Sequence, residues 1–421
     1  MVPIKFYLRR RTLLVYEANK RAADRFLKAH PILTGVQPAS KVISAMTKKT
    51  ILHAGPPLSF AKMCDVQRAA IIGGAIFEGL AKDGEEAKLK LEGGEIQLKA
   101  ALDAAVVAGG TGVTTASMPV VEVRDKTFRN KSFHFLFEGF GKTLIFGAYD
   151  EQVRDRLDWF RRSLGPALNS AIKTLGGIDV KAIMTEALLR GDELHNRNKA
   201  ATSMLNEIIA QGLIKAKLPS KEILKIIDFL RETYQFFVCI TMPAVHVTLK
   251  AADGIVNSTV VTAMVGNGVD IGLKISGKKN MWFTAPSTFA KGKTFPGYSE
   301  EDANPFIGDS GIVETGGLGA FALAAAPACA EFLGYTARDA RQFTSEMYQI
   351  TVTEHNEWKI PALDYRGTPS CIDARKVVRT GILPVIDAAI CHKKPGVGMI
   401  GAGILRPPMK CFERALESMD M

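Results

Sequence analysis

Leu188-Leu189-Arg190-Gly191-Asp192-Glu193-Leu194-His195-Asn196-Arg197-Asn198-Lys199-Ala200-Ala201-Thr202-Ser203 concentrates more chemistry per residue than any other stretch of the chain. Apolar and small residues before it (Ile183, Met184, Ala187, Leu188) and after it (Ala200, Ala201, Met204, Leu205, Ile208) recur at three- and four-residue steps. This spacing predicts one helix running through the polar patch. On such a helix Asp192, His195, Asn196 and Lys199 share a face, and Glu193 stands four residues from Arg197, the step that pairs them. An imidazole three residues from a carboxylate has a partner that can fix its tautomer and raise its basicity, as a general base or a metal ligand requires. The alternative is a solvated helix face laced with ion pairs. Gly191 and the density of amide side chains argue against a face that only solubilises, and both readings stay open.

Length and composition bound the answer. A chain of 421 residues exceeds the size at which one core keeps growing, so two or three domains are expected. An apolar share of 47% with 23% charged residues is that of a folded globular chain, which excludes disorder as a whole-chain property. Lys and Arg outnumber Asp and Glu by 54 to 43, and the resulting +11 admits an anionic partner or substrate. The excess is spread. Arg9-Arg10-Arg11 is its densest patch, and no basic stretch is interleaved with aromatics, so nucleic acid is not an expected partner. Six widely separated cysteines form neither Cys-x-x-Cys nor a Cys/His set, which points away from zinc and disulfides and towards a reducing, cytoplasmic setting. The N-terminus has no apolar secretory core, although its basic first 30 residues leave an organelle transit peptide open. Gly316 to Ala330 is apolar but broken by Pro327, and reads as a buried helix and not as a membrane span.

Read in order, the chain divides into an N-terminal α/β domain (1–150), a helical domain (151–235) and a C-terminal α/β domain (236–421), a mixed α/β fold. Residues 12–30 and Met63 to Ala81 carry helical patterns, and Pro119 to Val123 and Phe133 to Phe137 read as strands. His53 precedes a Gly-Pro-Pro turn and projects either into a cleft or into an ordinary turn. The run Ala108-Gly109-Gly110-Thr111-Gly112-Val113 can present backbone N–H groups to an anion, but lacks phosphate-loop and dinucleotide spacing, so a tight turn is the default. After Phe236 the pattern turns β-rich, with strands at Ile255 to Val265 and Ile271 to Ile275 around an Asn267-Gly268 hairpin. Asp302-Ala303-Asn304-Pro305, Gly308-Asp309-Ser310 and Glu314-Thr315-Gly316-Gly317 suit either a loop lining a site or an ordinary capped loop. Leu363-Asp364-Tyr365-Arg366-Gly367-Thr368-Pro369 leads into a predicted helix holding Asp373, Arg375 and Lys376. A helix N-terminus beside Arg366 is the best anion site in the sequence. Gly396 to Pro408 reads as a further glycine-rich turn.

Three of these motifs carry a resemblance: Gly191-Asp192-Glu193-Leu194-His195-Asn196-Arg197-Asn198-x-Ala-Ala-Thr, Asp302-Ala303-Asn304-Pro305 with Gly308-Asp309-Ser310, and Ala362-Leu363-Asp364-Tyr365-Arg366-Gly367-Thr368-Pro369. Together they resemble the allantoin-catabolism protein G family over roughly residues 17–415. The resemblance implies two α/β domains around a helical one. It also implies a subunit of a three-part oxamate carbamoyltransferase, partnered by an FdrA-type acyl-CoA-synthetase-like subunit and a small third subunit. That reaction interconverts oxalurate plus phosphate with oxamate plus carbamoyl phosphate. No cofactor and no metal are implied, and a homo-oligomer is compatible.

For this chemistry the reading assigns His195, oriented by Asp192, as acid/base, and Arg197, Arg366 and Arg375 as anion clamps. Asn198 and Asn304 serve as hydrogen-bond donors, with Asp309, Ser310 and Thr368 completing the substrate site. The phosphate loop of the aspartate and ornithine carbamoyltransferases, Ser-Thr-Arg-Thr-Arg, is absent. Where the resemblance implies a polar run ahead of the glycine turn, this chain has Leu102-Asp103-Ala104-Ala105. That departure sustains the alternative of a non-catalytic scaffold or a repurposed, inactive homologue. A metal-dependent hydrolase is a weaker option, because the motif holds one histidine and no His-x-x-x-His.

Overall fold

The computed structural model describes residues 4–420, with side chains from Leu13 onward; the side chains of Arg9-Arg10-Arg11 lie outside the described residues. The architecture is mixed α and β, with several small sheets and no barrel. The helix Ile4–Lys28 ends with Arg25 and Lys28 in its last turn, where cations complement the exposed carbonyls. Pro31, which cannot continue a helix, opens the strand Pro31–Pro38. That strand pairs antiparallel with Pro119–Asp125, which pairs in turn with Lys131–Phe135; Ile178–Asp179 closes the other edge of this four-stranded sheet.

The helical stretch holds Glu151–Trp159, Gly165–Leu175, Val180–Leu189, Lys199–Lys215 and Ser220–Glu232. The expected β-rich pattern does not begin at Phe236. A helix, Val238–Ala252, comes first and is buried along almost its whole length, so it lacks the polar face that would have betrayed its period. The expected hairpin then follows: Val261–Asn267 pairs with Asp270–Ile275, and Asn267 Oδ1 accepts from the backbone N–H of Val269 and Asp270 at 3.0 and 2.7 Å. Gly316 to Ala330 is mostly buried, with Pro327 and Ala328 exposed, and is not one helix. A short turn, Ile312–Thr315, a 3-10 run, Gly319–Ala325, and the helix Pro327–Phe332 succeed one another. No helix among the described residues is long and apolar enough to cross a membrane.

Two further expectations are corrected. Arg366–Ile372 is a strand, paired antiparallel with Thr351–Ile360, and the helix after it, Ala374–Thr380, begins only beyond Asp373, which caps it. The glycine-rich tail is the strand Met399–Leu405, whose glycines let Lys291–Thr294 approach on one side and Ile386–Cys391 on the other. The largest apolar core draws on residues from Ala18 to Met419, and a second one lies between Ile51 and Leu157. The middle and last thirds of the chain are thereby locked against each other, which fixes the loops between them.

Candidate functional site

The predicted continuous helix through residues 188–203 is two helices with a loop between them. Val180–Leu189 stops at Gly191, whose φ of +87° is open to glycine and costly for other residues, and Lys199–Lys215 restarts beyond Asn198. Short polar side chains explain the break, because Asp and Asn satisfy backbone groups that a helix would otherwise pair. Asp192 Oδ2 accepts from the Ala201 N–H at 2.9 Å. Asn198 Nδ2 donates to the His195 carbonyl at 2.9 Å, its own N–H donates to Gln235 Oε1 at 2.7 Å, and its Oδ1 accepts from the Thr241 hydroxyl at 3.2 Å. Glu193 is fully buried and turns back on the loop, accepting from the N–H groups of His195 and Arg197 and from the Cys329 thiol. The apolar periodicity on either side of the patch was sound; its phase belongs to two helices.

The consequence is that Asp192 does not orient His195. The imidazole faces Glu314 and Asp387 instead, with Nδ1 2.8 Å from Glu314 Oε1 and 2.8 Å from Asp387 Oδ1. Glu314 comes from the turn Ile312–Thr315 and Asp387 from the strand Ile386–Cys391, so three distant segments meet at one ring. Asn196 Nδ2 adds a bond to Asp387 Oδ1 at 3.2 Å. Burial opposes a charge on His195, but the two carboxylates outweigh it and hold the imidazole well above its usual range. Burial, with the Glu314 carboxylate beside it, pushes Asp387 upward, and burial with the Asp387 charge does the same to Glu193. Gly319 makes room for the arrangement, since its φ is +57° and a Cβ there would collide with Glu314 Oε1.

His195 and Asn196 form part of the wall of a narrow cleft that Gly110, His134, Phe137 and Ser310 also line. His134 donates from Nδ1 to the Phe135 carbonyl at 2.5 Å and accepts the Gly109 N–H on Nε2 at 3.3 Å. Burial pushes its pKa down to about 4, so it stays neutral. Asp309 fastens the cleft's rear, accepting from the N–H groups of Gly55 and Ala108 at 2.7 and 3.0 Å, and burial raises it to about 7. The glycine run 109–112 therefore turns beside the cleft. His53 lies elsewhere, buried at a strand end with Nδ1 bonded to the Ala54 carbonyl.

A match to known proteins is now interpretable. A family model described as "Oxamate carbamoyltransferase subunit AllG" matches residues 96–310. Along 408 residues the chain is 39% identical to the oxamate carbamoyltransferase subunit AllG of Escherichia coli K12, covering 96% of this chain and 97% of that one. The chain belongs to the AllG family. It is also 43% identical over 399 residues to the uncharacterized protein YahG of the same bacterium, covering 95% of this chain and 84% of YahG. A crystal structure of a conserved protein of unknown function from Enterococcus faecalis V583 superposes on this AllG-family chain with a TM-score of 0.95. The two are 40% identical, over 96% of this chain and 97% of that one.

The other residues singled out in this AllG-family sequence scatter. Ser310 lines the cleft with His195. Asn304 is buried near it, donating from Nδ2 to the Pro305 carbonyl at 2.8 Å and from its backbone to the Cys391 carbonyl at 2.8 Å. None of the three expected clamps, Arg197, Arg366 and Arg375, lines the cleft. Arg197 approaches Asp192 at 3.4 Å, Arg366 pairs with Glu354 at 2.5 Å on an exposed hairpin, and Arg375 pairs with Asp373 at 2.9 Å. Thr368 is buried in its strand against Ser370. Sequence reasoning missed Asp387, Cys329, His134 and the role of Glu314. Asp387 did leave a signal, a single acid inside the apolar run Ile386-Asp387-Ala388-Ala389-Ile390.

Proposed function

We propose that this chain is a subunit of an oxamate carbamoyltransferase-type assembly, and that the cleft beside His195 receives the carbamoyl group or its acceptor. The observation that carries this reading is the 39% identity to AllG along 97% of that subunit. In the reaction proposed, phosphate attacks the carbamoyl carbon of oxalurate, the carbon–nitrogen bond to the oxamate amide breaks, and that nitrogen departs with a proton. His195 serves as the proton carrier, positioned by Glu314 and Asp387, and takes the proton back when oxamate attacks carbamoyl phosphate. Asn196 and Ser310 supply hydrogen bonds to the reacting group. Asp192 and Asn198 act as positioning residues, holding the loop that carries the imidazole.

One observation favours a second reading. Among the described residues no Lys or Arg lines the cleft, so the clamp for a doubly anionic ligand comes from an FdrA-type or small third subunit, or this chain is a scaffold for them. The test is reconstitution with both partners in the presence of oxalurate and phosphate. Carbamoyl phosphate formation that requires this chain is expected. A preparation in which the two partners alone turn over as fast as the full assembly removes this chain from the chemistry. A thermal shift of the isolated chain with oxamate separates the remaining cases, since a catalytic subunit binds the ligand and a scaffold does not.

A further inference from the structure

We propose that His195, Glu314 and Asp387 together bind one first-row divalent cation, of the Zn²⁺ or Mn²⁺ type, at the wall of the cleft. Glu193, Glu314 and Asp387 are fully buried around a single imidazole, and among the described residues no Lys or Arg lines the adjoining space. Three carboxyl groups around one imidazole exceed its single positive charge whenever they ionise, a situation that folded chains resolve by pairing, by protonation or by a metal. Pairing fails here among the described residues, because Glu314 Oε2 and Asp387 Oδ2 are buried and no donor reaches either. Glu314 and Asp387 belong with His195 to a triad in which one ligand atom of each residue lies within 4.8 Å of the others. Neighbouring ligands at about 2.0–2.2 Å from a tetrahedral ion stand about 3.3–3.6 Å apart, so side-chain shifts of about 1 Å suffice.

The donor set selects the class of ion. One imidazole nitrogen with carboxylate oxygens suits borderline first-row divalent ions, whereas Mg²⁺ and Ca²⁺ favour all-oxygen sites and soft ions favour thiolates. A second group, Glu193, Cys329 and Asp387, is equally close-set, but two of its three members are already engaged. Glu193 already accepts two backbone N–H groups, and burial keeps the Cys329 thiol protonated and donating to it. Binding at the first triad displaces the proton from Nδ1 of His195, the ion takes over as the positive charge beside the cleft, and any proton that this ring carries in the proposed transfer then sits on Nε2. The proposal stands on the cluster and not on carbamoyl transfer: an ion bound in a chain with no transferase activity would leave it intact.

The experiment uses the full chain, stripped with chelator, reloaded separately with ZnCl₂ and MnCl₂, desalted and assayed for metal by mass spectrometry. About one equivalent of at least one of these ions per chain is expected, with a higher melting temperature than the stripped protein. Glu314→Gln and Asp387→Asn should each weaken retention at least about tenfold. Because a buried-carboxylate variant can fail to fold, the wild-type chain loaded with Co²⁺ gives an independent reading. Visible d–d bands without a thiolate charge-transfer band are expected. A wild-type chain that retains neither ion, retention undiminished in both folded variants, or a strong thiolate band would each overturn the assignment.

Discussion

The loop 190–198 and the hairpin formed by Thr351–Ile360 and Arg366–Ile372 look alike in sequence, each a charged motif punctuated by glycine, and the structure treats them in opposite ways. In the hairpin, charge remains at the surface: Arg366 pairs with Glu354 and lies 3.8 Å over the Tyr348 ring, while the inner face packs Trp358 against His355 and Phe26. In the loop, charge goes inside, where Glu193 and His195 meet Glu314 and Asp387 with more carboxylate oxygens than donors. A solvated pair is screened and nearly neutral in energy, whereas buried charge without enough partners is costly unless something else uses it. Burial and unmet valence, not the density of polar residues, therefore single out the candidate site.

This contrast can be broken most directly by removing one member from each region. His195→Ala leaves Glu314 and Asp387 facing each other with no intervening donor ring, and a loss of about 3–5 kcal/mol in urea unfolding is expected. A loss below about 1 kcal/mol would mean that the cluster is already neutral, and the contrast with the hairpin would shrink accordingly. Gly319→Ala tests the same cluster from its other side. The added methyl meets Glu314 at a positive φ, so about 1–3 kcal/mol should be lost along with the His195–Glu314 contact. Unchanged melting in that variant would show that the Glu314 side chain is free to swing aside.

A pH series sharpens the comparison further. Burial raises Asp309 from its ordinary value to about 7, so the folded chain binds more protons than the unfolded one, and this group's stabilising contribution falls as pH climbs towards and through 7. The buried histidines His134, His246 and His355 act in the opposite sense, since burial lowers all three and the unfolded chain takes up protons below about 6.5. Stability should therefore rise by about 1 kcal/mol from pH 8 to about 6.5 and then level or fall. Asp309→Asn should make the upper limb shallower without abolishing it, because His195, Asp387 and Glu193 are also raised and act in the same sense, whereas Arg366→Ala, at an exposed pair, should leave it unchanged. A melting temperature that climbs steadily from pH 6 to 8 in the parent chain contradicts this reading. The smallest effect expected is that of Arg366→Ala itself, within about 1 kcal/mol of the parent.

Much of the secondary structure was legible because it rests on local rules. The hairpin at Asn267, the strands near Val120 and Phe135 and the N-terminal helix each follow from short-range periodicity and turn chemistry. The Val238–Ala252 helix was not legible, since a helix buried on all sides has no polar phase to read. Of the site, His195 and Ser310 could be picked out by residue type, and Glu314 stood in a loop already noted for its glycines and acids. Its partnership with His195 could not be read, because the two lie 119 residues apart and meet only through tertiary packing. The arginines misled for the complementary reason: a guanidinium suits a carboxylate of the protein as well as one of a substrate, and Glu354, Asp373 and Asp192 are nearer.

The account's central claim, that the buried loop and not the exposed hairpin holds the chemistry, is best tested by one rate measurement. In the assembly reconstituted with its partners, carbamoyl phosphate turnover with oxamate should fall at least about 100-fold in His195→Gln and stay within about twofold of the parent in Arg366→Ala. The reverse ranking, with Arg366→Ala inactive and His195→Gln near parental rate, would contradict it.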